Sequence, residues 1–187
     1  VNTPSYASGT FTEVVTYTHN GGETTSDSFT YKANDGDGDS NTATATISIN
    51  AVNDAPVASA VSGSGSEGGI VSITLSASDV DDTDPSGFSF SIVSQPSNGI
   101  VSIGSSGYSS STFTAVATYT HNGSETTSDS FTYNVNDGDG DSNTATATIS
   151  INAVNDAPVA SAVSGSGANS QTITTTLVAT DVDDING

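Results

Sequence analysis

The chain has 187 residues, one third of them hydrophobic, with no cysteine, methionine or tryptophan. Twenty-one acidic side chains stand against one Lys or Arg, namely Lys32, and the formal net charge is −20. This excludes nucleic acid and anionic membrane surfaces as partners, because their phosphates would repel the chain. Disulfide staples are excluded too, and no run approaches the ~20 apolar residues of a membrane span.

The predicted elements are strands throughout. The segment "SFTYKAN" (28–34) and the run "TATATISIN" (42–50) form a hairpin about "DGDGDS" (35–40). In that second run Ala43, Ala45, Ile47, Ile49 and Ala51 are apolar, and Thr42, Thr44, Thr46, Ser48 and Asn50 between them are polar. Such alternation describes a strand with one buried face. "NDAP" (53–56) reads as a linker, and a strand follows near 57–62. Val71, Ile73, Leu75 and Ala77 alternate next, then Phe88, Phe90 and Ile92. Strands near 100–103 and 112–120 lead to Phe131, Tyr133 and Val135. Gly, Asn, Asp, Ser and Pro punctuate the series, and no segment has a helical period. The expected interior is Ile47, Ile49, Val71, Ile73, Leu75, Phe90, Phe131, Tyr133, Ile149 and Ile151.

One period organises these elements. Residues 34–65 and 136–167 are identical, and between 17–65 and 119–167 only Gly22/Ser124, Lys32/Asn134 and Ala33/Val135 differ. The offset is 102 residues, the size of one β-sandwich. The fold class expected is therefore all-β: tandem seven-stranded antiparallel Greek-key β-sandwiches, Ig-like, of about 102 residues per repeat. Cut after each "NDAP", residues 1–56 are the C-terminal part of one repeat, 57–158 a complete repeat and 159–187 the N-terminal part of a further one. The chain reads as a window onto a longer array.

The segments "INAVNDAPVASAV", "EGG", "LSASDVDD" and "FTYNVNDGDGD" stand in the order of the motifs of cadherin-like repeats, which the chain resembles. "TYTHNGSETTSDSFTY" is similar to repeats of chondroitin sulphate proteoglycans. The Thr, Ser, Asn and Asp richness with almost no Lys or Arg is similar to the tandem repeats of large bacterial extracellular adhesins. The resemblance implies Ca2+ between successive repeats. At the first junction it implies Glu23 from the upstream repeat, Asn53 and Asp54 from the linker, and Asp79, Asp81 and Asp137 from the downstream repeat. At the next it implies Glu67, Glu125, Asn155, Asp156, Asp181 and Asp183. Ala51 and Ala153 stand where the family has an acidic residue, so one or two ions are expected at each junction. Calcium takes six to eight hard oxygen ligands, and carboxylates from two repeats surround it only if the repeats hold one orientation. The same aspartates also fit a plainer reading: a solvated loop at 79–82 and a turn at 53–54.

Asp37, Asp39, Asp139 and Asp141 resemble the start of a calcium loop, but the closing glutamate is absent, and a hairpin turn needs Gly and Asp in any case. His19 and His121 precede Asn-Gly turns and read as strand-end caps. No Cys or paired carboxylate beside them suggests an enzyme. Asn122-Gly123-Ser124 is a glycosylation sequon, lost in the first copy at Gly22. Near-identical repeats favour a part that supplies length and spacing. The expected function is a structural extender of a large extracellular or cell-surface adhesin or matrix protein, with calcium stiffening its joints. A cell-surface or matrix ligand would then be engaged elsewhere in the full protein. The alternative is a subunit of an extracellular filament, identical chains joining end to end by strand complementation.

Overall fold

The computed structural model describes residues 5–183. Strand is the only regular structure among them, so no helix there is long and apolar enough to cross a membrane. The chain divides into two compact units, one ending at Val52 and one beginning at Asn53.

The first unit holds β1 (Ser5–Ala7), β2 (Thr10–Thr12), β3 (Ser26–Tyr31) and β4 (Ala43–Ser48). They pair as two antiparallel hairpins, β1 with β2 and β3 with β4. Each hairpin follows from its turn. Ser8 and Gly9 both adopt positive φ between β1 and β2, the backbone that a two-residue hairpin loop requires. Asp35 caps the longer loop after β3, its Oδ1 accepting the N–H groups of Asp37 and Gly38 at 3.0 Å.

The second unit holds β5 (Val57–Ala58), β6 (Val61–Ser66), β7 (Ile70–Ser78), β8 (Ser89–Ser94), β9 (Gly99–Ser109), β10 (Thr112–His121), β11 (Ser128–Asn136), β12 (Ala145–Asn152), β13 (Val159–Ser161) and β14 (Val178–Thr180). Two four-stranded sheets form, in the orders β5-β7-β10-β9 and β6-β12-β11-β8. This is the strand arrangement of an immunoglobulin-type sandwich, with β5 and β6 as one first strand that changes sheets. β6 pairs parallel to β12, from Val61↔Ala147 to Asn152↔Ser66. It is the one parallel pair among the described ladders, in a sandwich expected to be antiparallel throughout.

The inward faces meet in one core. Leu75, Phe113, Tyr119, Phe131, Tyr133, Val135 and Ile149 are fully buried. The rings of Phe88 and Phe113 stack inside it. β12 alternates buried and exposed along its whole length, as its sequence requires. Gly63 and Gly65 let β6 lie against β7: a Cβ on Gly65 would sit 2.4 Å from Val71 Cγ2. The buried Tyr133 hydroxyl donates to the carbonyls of Ser59 and Ser76 and so ties β11 to the sheet-changing strand.

Three residues expected inside are only half-buried: Ile47, Ile49 and Phe90. Ile47 lies on β4, in a unit whose described strands make two two-stranded sheets, so no four-stranded sheet of that unit covers it. Ile49 follows β4 directly, and Phe90 lies on β8, an edge strand. Their counterparts on β12, Ile149 and Ile151, are buried under the complete sandwich.

Candidate metal centre

The strand order sends acidic loops to the two ends of the second unit. At one end lie the linker residues Asn53 and Asp54, the turn after β7 and the loop between β11 and β12. At the other lie the β6–β7 turn, the β10–β11 loop and the segment after β12.

At the first end Asp79 Oδ1 accepts the N–H groups of Asp81 (2.8 Å) and Asp82 (3.0 Å). Its Oδ2 is buried and has no hydrogen-bond partner among the described residues. Asp81 Oδ2 accepts the N–H of Asp54 at 2.6 Å, which docks the linker. Asn53 Nδ2 donates to Asp137 Oδ2 at 3.0 Å, while Asp139 and Gly140 donate backbone N–H groups to Asp137 Oδ1. Asp137 is 7% exposed. The Asn53 amide, and behind it these N–H groups, hold the Asp137 carboxyl below its usual range against the opposing effect of burial. Asp82 goes the other way: burial, then repulsion from Asp79, Asp137, Asp81 and Asp139, raises it.

At the other end the carboxylates of Glu67, Glu125 and Asp183 converge, with ligand oxygens all within 4.8 Å of one another. Glu67 Oε2 accepts the Val154 N–H at 3.3 Å, and Asp183 Oδ2 accepts the N–H of Asp156. The Asp156–Asp183 contact repeats Asp54–Asp81 at the 102-residue offset. Asp181 Oδ1 accepts the N–H of Asp183 at 3.0 Å, as Asp79 does for Asp81. Asn155 Nδ2 turns to the Asp156 carbonyl at 2.7 Å, within its own linker. Glu23 lies in the first unit, exposed in the bend before β3.

Desolvation, the hydrogen bonds shared with Asp183 and Glu67, and their charges push the Glu125 carboxyl up to about 7. An unfolded chain releases that proton near the ordinary glutamate value of about 4.3. The folded unit therefore binds more protons between these values and loses stability as pH rises through them. In cation-free buffer the second unit is expected to melt at a higher temperature at pH 5.5 than at pH 8. Glu125→Gln should flatten the difference in differential scanning calorimetry; an equal slope in the variant would remove Glu125 as its source.

The loops "DGDGDS" are hairpin turns. Asn136 bridges to Asp141 as Asn34 does to Asp39, and Asn136 Nδ2 donates to Asp141 Oδ1 at 2.8 Å. Gly138 adopts φ 107° within that turn. His121 closes β10: its Nδ1 accepts the N–H groups of Gly68 and Gly123, so Nε2 carries the proton toward Thr126 Oγ1. Both ring nitrogens thus tie the end of β10 to the β6–β7 turn and the β10–β11 loop.

Two residues matter that sequence reasoning passed over. Asp82 shares its end with Asp79 and Asp137, and the only signal was its place in the acidic run "DVDD". Asn143 holds β5 through both Ala58 backbone groups, at 2.9 and 3.0 Å, across 85 residues that no local pattern spans.

No curated protein matches the sequence. The description "bacterial Ig domain" matches residues 1–48 and 53–150. That match covers most of the chain and includes both sheets of the sandwich, so the chain belongs to the bacterial Ig domain family.

Proposed function

We propose that this chain is a structural extender of a large bacterial extracellular adhesin or matrix protein, with calcium held at the ends of its repeats. On this reading 57–158 is one repeat between parts of two others, 1–56 and 159–187. The family supports the coarser statement, since its domains are structural and typically carried at the cell surface.

The observation that carries the calcium reading is the convergence of Glu67, Glu125 and Asp183. Three carboxylates approach from three segments, and residues 53–187 contain no Lys or Arg to balance them. Such a set is repulsive alone and favourable around a hard divalent cation. All its donors are oxygens, and the chain has no cysteine, so soft-metal chemistry is disfavoured. The buried Asp79 Oδ2, without a hydrogen-bond partner among the described residues, supports a second oxygen ligand for a cation at the other end.

Bound calcium would fix the segment after the linker against the sandwich, because Asp183 belongs to one and Glu67 and Glu125 to the other. Calorimetric titration of the chelator-treated chain with calcium chloride tests this. Saturable binding with a dissociation constant of about 10⁻⁴ to 10⁻³ M is expected, as for extracellular modules. Replacing Glu67 and Glu125 with Gln should remove one class of site. No heat from the wild-type chain, or unchanged heat from the double variant, would sink the reading.

A further inference from the structure

Three Asn-Gly pairs lie among the described residues, at 20–21, 98–99 and 122–123. No side chain on the glycine shields its nitrogen from the asparagine amide carbon, so such pairs can close on themselves. Two of the three share one arrangement of groups. His121 Nδ1 accepts the Gly123 N–H at 3.3 Å, sharing its lone pair with the Gly68 N–H at 3.1 Å. Asn122 is exposed, and its Oδ1 accepts the Ser124 N–H at 3.0 Å. Gly123 adopts φ 81°, and nothing lies within 4 Å of the place a Cβ would take there. A base thus touches the nitrogen, an N–H touches the oxygen of the neighbouring amide, and solvent reaches the pair.

The first unit repeats these parts. The Gly21 N–H points to His19 Nδ1 at 3.4 Å, the Gly22 N–H to Asn20 Oδ1 at 3.1 Å, and Gly21 adopts φ 83° with the same open space. Asn98-Gly99 is held differently. The Asn98 N–H donates to Asp129 Oδ2, and its carbonyl accepts from the Tyr119 hydroxyl and the Asn122 N–H. A Cβ on Gly99 would stand 2.4 Å from the Thr120 carbonyl oxygen. Closing a ring there would break the bonds that pin this connection.

We propose that Asn122 and Asn20 are sites of self-modification, each converted through a succinimide with the glycine that follows it, with the preceding histidine as base. At Asn122 the Gly123 N–H gives its proton to His121 Nδ1, and the nitrogen bonds to Asn122 Cγ. The carbonyl electron pair moves to Oδ1, where the Ser124 N–H stabilises it. His121 Nε2 keeps its own proton toward Thr126 Oγ1 at 3.0 Å, which steadies the imidazolium. The bond from Cγ to Nδ2 then breaks, Nδ2 takes the proton back from His121 Nδ1, and ammonia leaves. Solvent water opens the ring at either carbonyl, giving aspartate or isoaspartate. Each conversion is one-way, and at Asn122 it adds a carboxylate to the loop that carries Glu125 and removes the sequon.

The inference is independent of the calcium reading, so the test uses neutral, cation-free buffer. The chain is incubated and digested, and tandem mass spectrometry that separates aspartate from isoaspartate reads each site. Both products are expected at positions 20 and 122, with Asn98 intact. Asn122 should react faster in the folded chain than in urea, where the histidine is no longer placed. His121→Gln should slow Asn122 by at least about tenfold and leave Asn20 unchanged. A histidine that only braced the turn would do the reverse, since its loss loosens the loop and frees the ring to close. The melting of His121→Gln is checked first; should that variant not fold, His19→Gln, whose ring is less buried, reads the same effect at Asn20. An unmodified Asn122, a folded rate no higher than the rate in urea, an Asn98 that reacts as fast as Asn122, or a glutamine variant that reacts as fast as wild type would each overturn the proposal.

Discussion

Saturating calcium is expected to raise the melting temperature of the chain by about 10–20 °C over chelator, for one site at roughly a hundredfold above its dissociation constant. The arithmetic is short. Such a site adds about 2.7 kcal/mol to the folded state. For a domain of about 100 residues, each kcal/mol moves the midpoint by about 4–8 °C. The rise comes from relieving repulsion. Glu67, Glu125 and Asp183 keep their oxygens within 4.8 Å of one another, and no Lys or Arg lies beyond Lys32 to screen them. Replacing Asp79 and Asp81 with Asn should remove the response at the end that carries Asn53. Replacing Asp139 and Asp141 should leave it, because those residues build a hairpin turn. Identical wild-type melting with calcium and with chelator would refute the site; so would loss of the response in the Asp139/Asp141 variant alone.

The fold was legible where one face of a strand is buried and the period is clean. β7 and β12 are the clearest cases, with apolar side chains at every second residue. It was illegible where the strand lies at an edge. Residues 104–109, "GSSGYS", lie outside the strands expected near 100–103 and 112–120, yet they extend β9 and pair with β10 past a register shift. An edge strand has one neighbour, so small polar residues cost it little. The hairpin loop that follows is Ser110–Ser111, both at positive φ, a backbone usually signalled by Asn or Gly. The first strand's change of sheet was also hidden, since both halves alternate alike and only tertiary pairing separates them.

The acidic ends were legible through motif order, not spacing. Glu67, Glu125 and Asp183 lie 58 residues apart in each successive step, and no local pattern joins them. The strand order does so, by placing three turns at one end of the sandwich. The 102-residue repeat then makes a motif at one end recur at the other, which is why Asp156–Asp183 repeats Asp54–Asp81. Asp129 had no such help. Its partners at Ser97 and Asn98 lie 32 and 31 residues away, in a connection without any motif.

Asp129→Ala is expected to destabilise the second unit by about 3 kcal/mol, since charge-assisted hydrogen bonds are each worth about 1.5–3 kcal/mol. The carboxylate accepts the N–H groups of Ser97 (3.0 Å), Asn98 (2.8 Å) and Ser130 (2.8 Å) and the Tyr119 hydroxyl (2.9 Å). It thereby pins the β8–β9 connection to the start of β11. Tyr119 is 0% exposed, so its hydroxyl would depend on the Asn98 carbonyl alone. Burial opposes ionisation of Asp129, but the N–H groups of Asn98, Ser97 and Ser130 and the Tyr119 hydroxyl outweigh it and hold the carboxyl low. Its contribution is therefore complete above the ordinary aspartate value and is lost as pH falls through the folded value. The first unit contains its own control. Asp27, the counterpart of Asp129, accepts only from Tyr17 and Ser28 among the described hydrogen bonds and is exposed. Asp27→Ala should leave the main transition unchanged, whereas Asp129→Ala should lower it by roughly 12–24 °C at neutral pH. The gap between wild type and Asp129→Ala should narrow as pH falls below the ordinary aspartate range. Equal effects from the two substitutions would show that the side chain acts through its local turn alone, not by holding the β8–β9 connection.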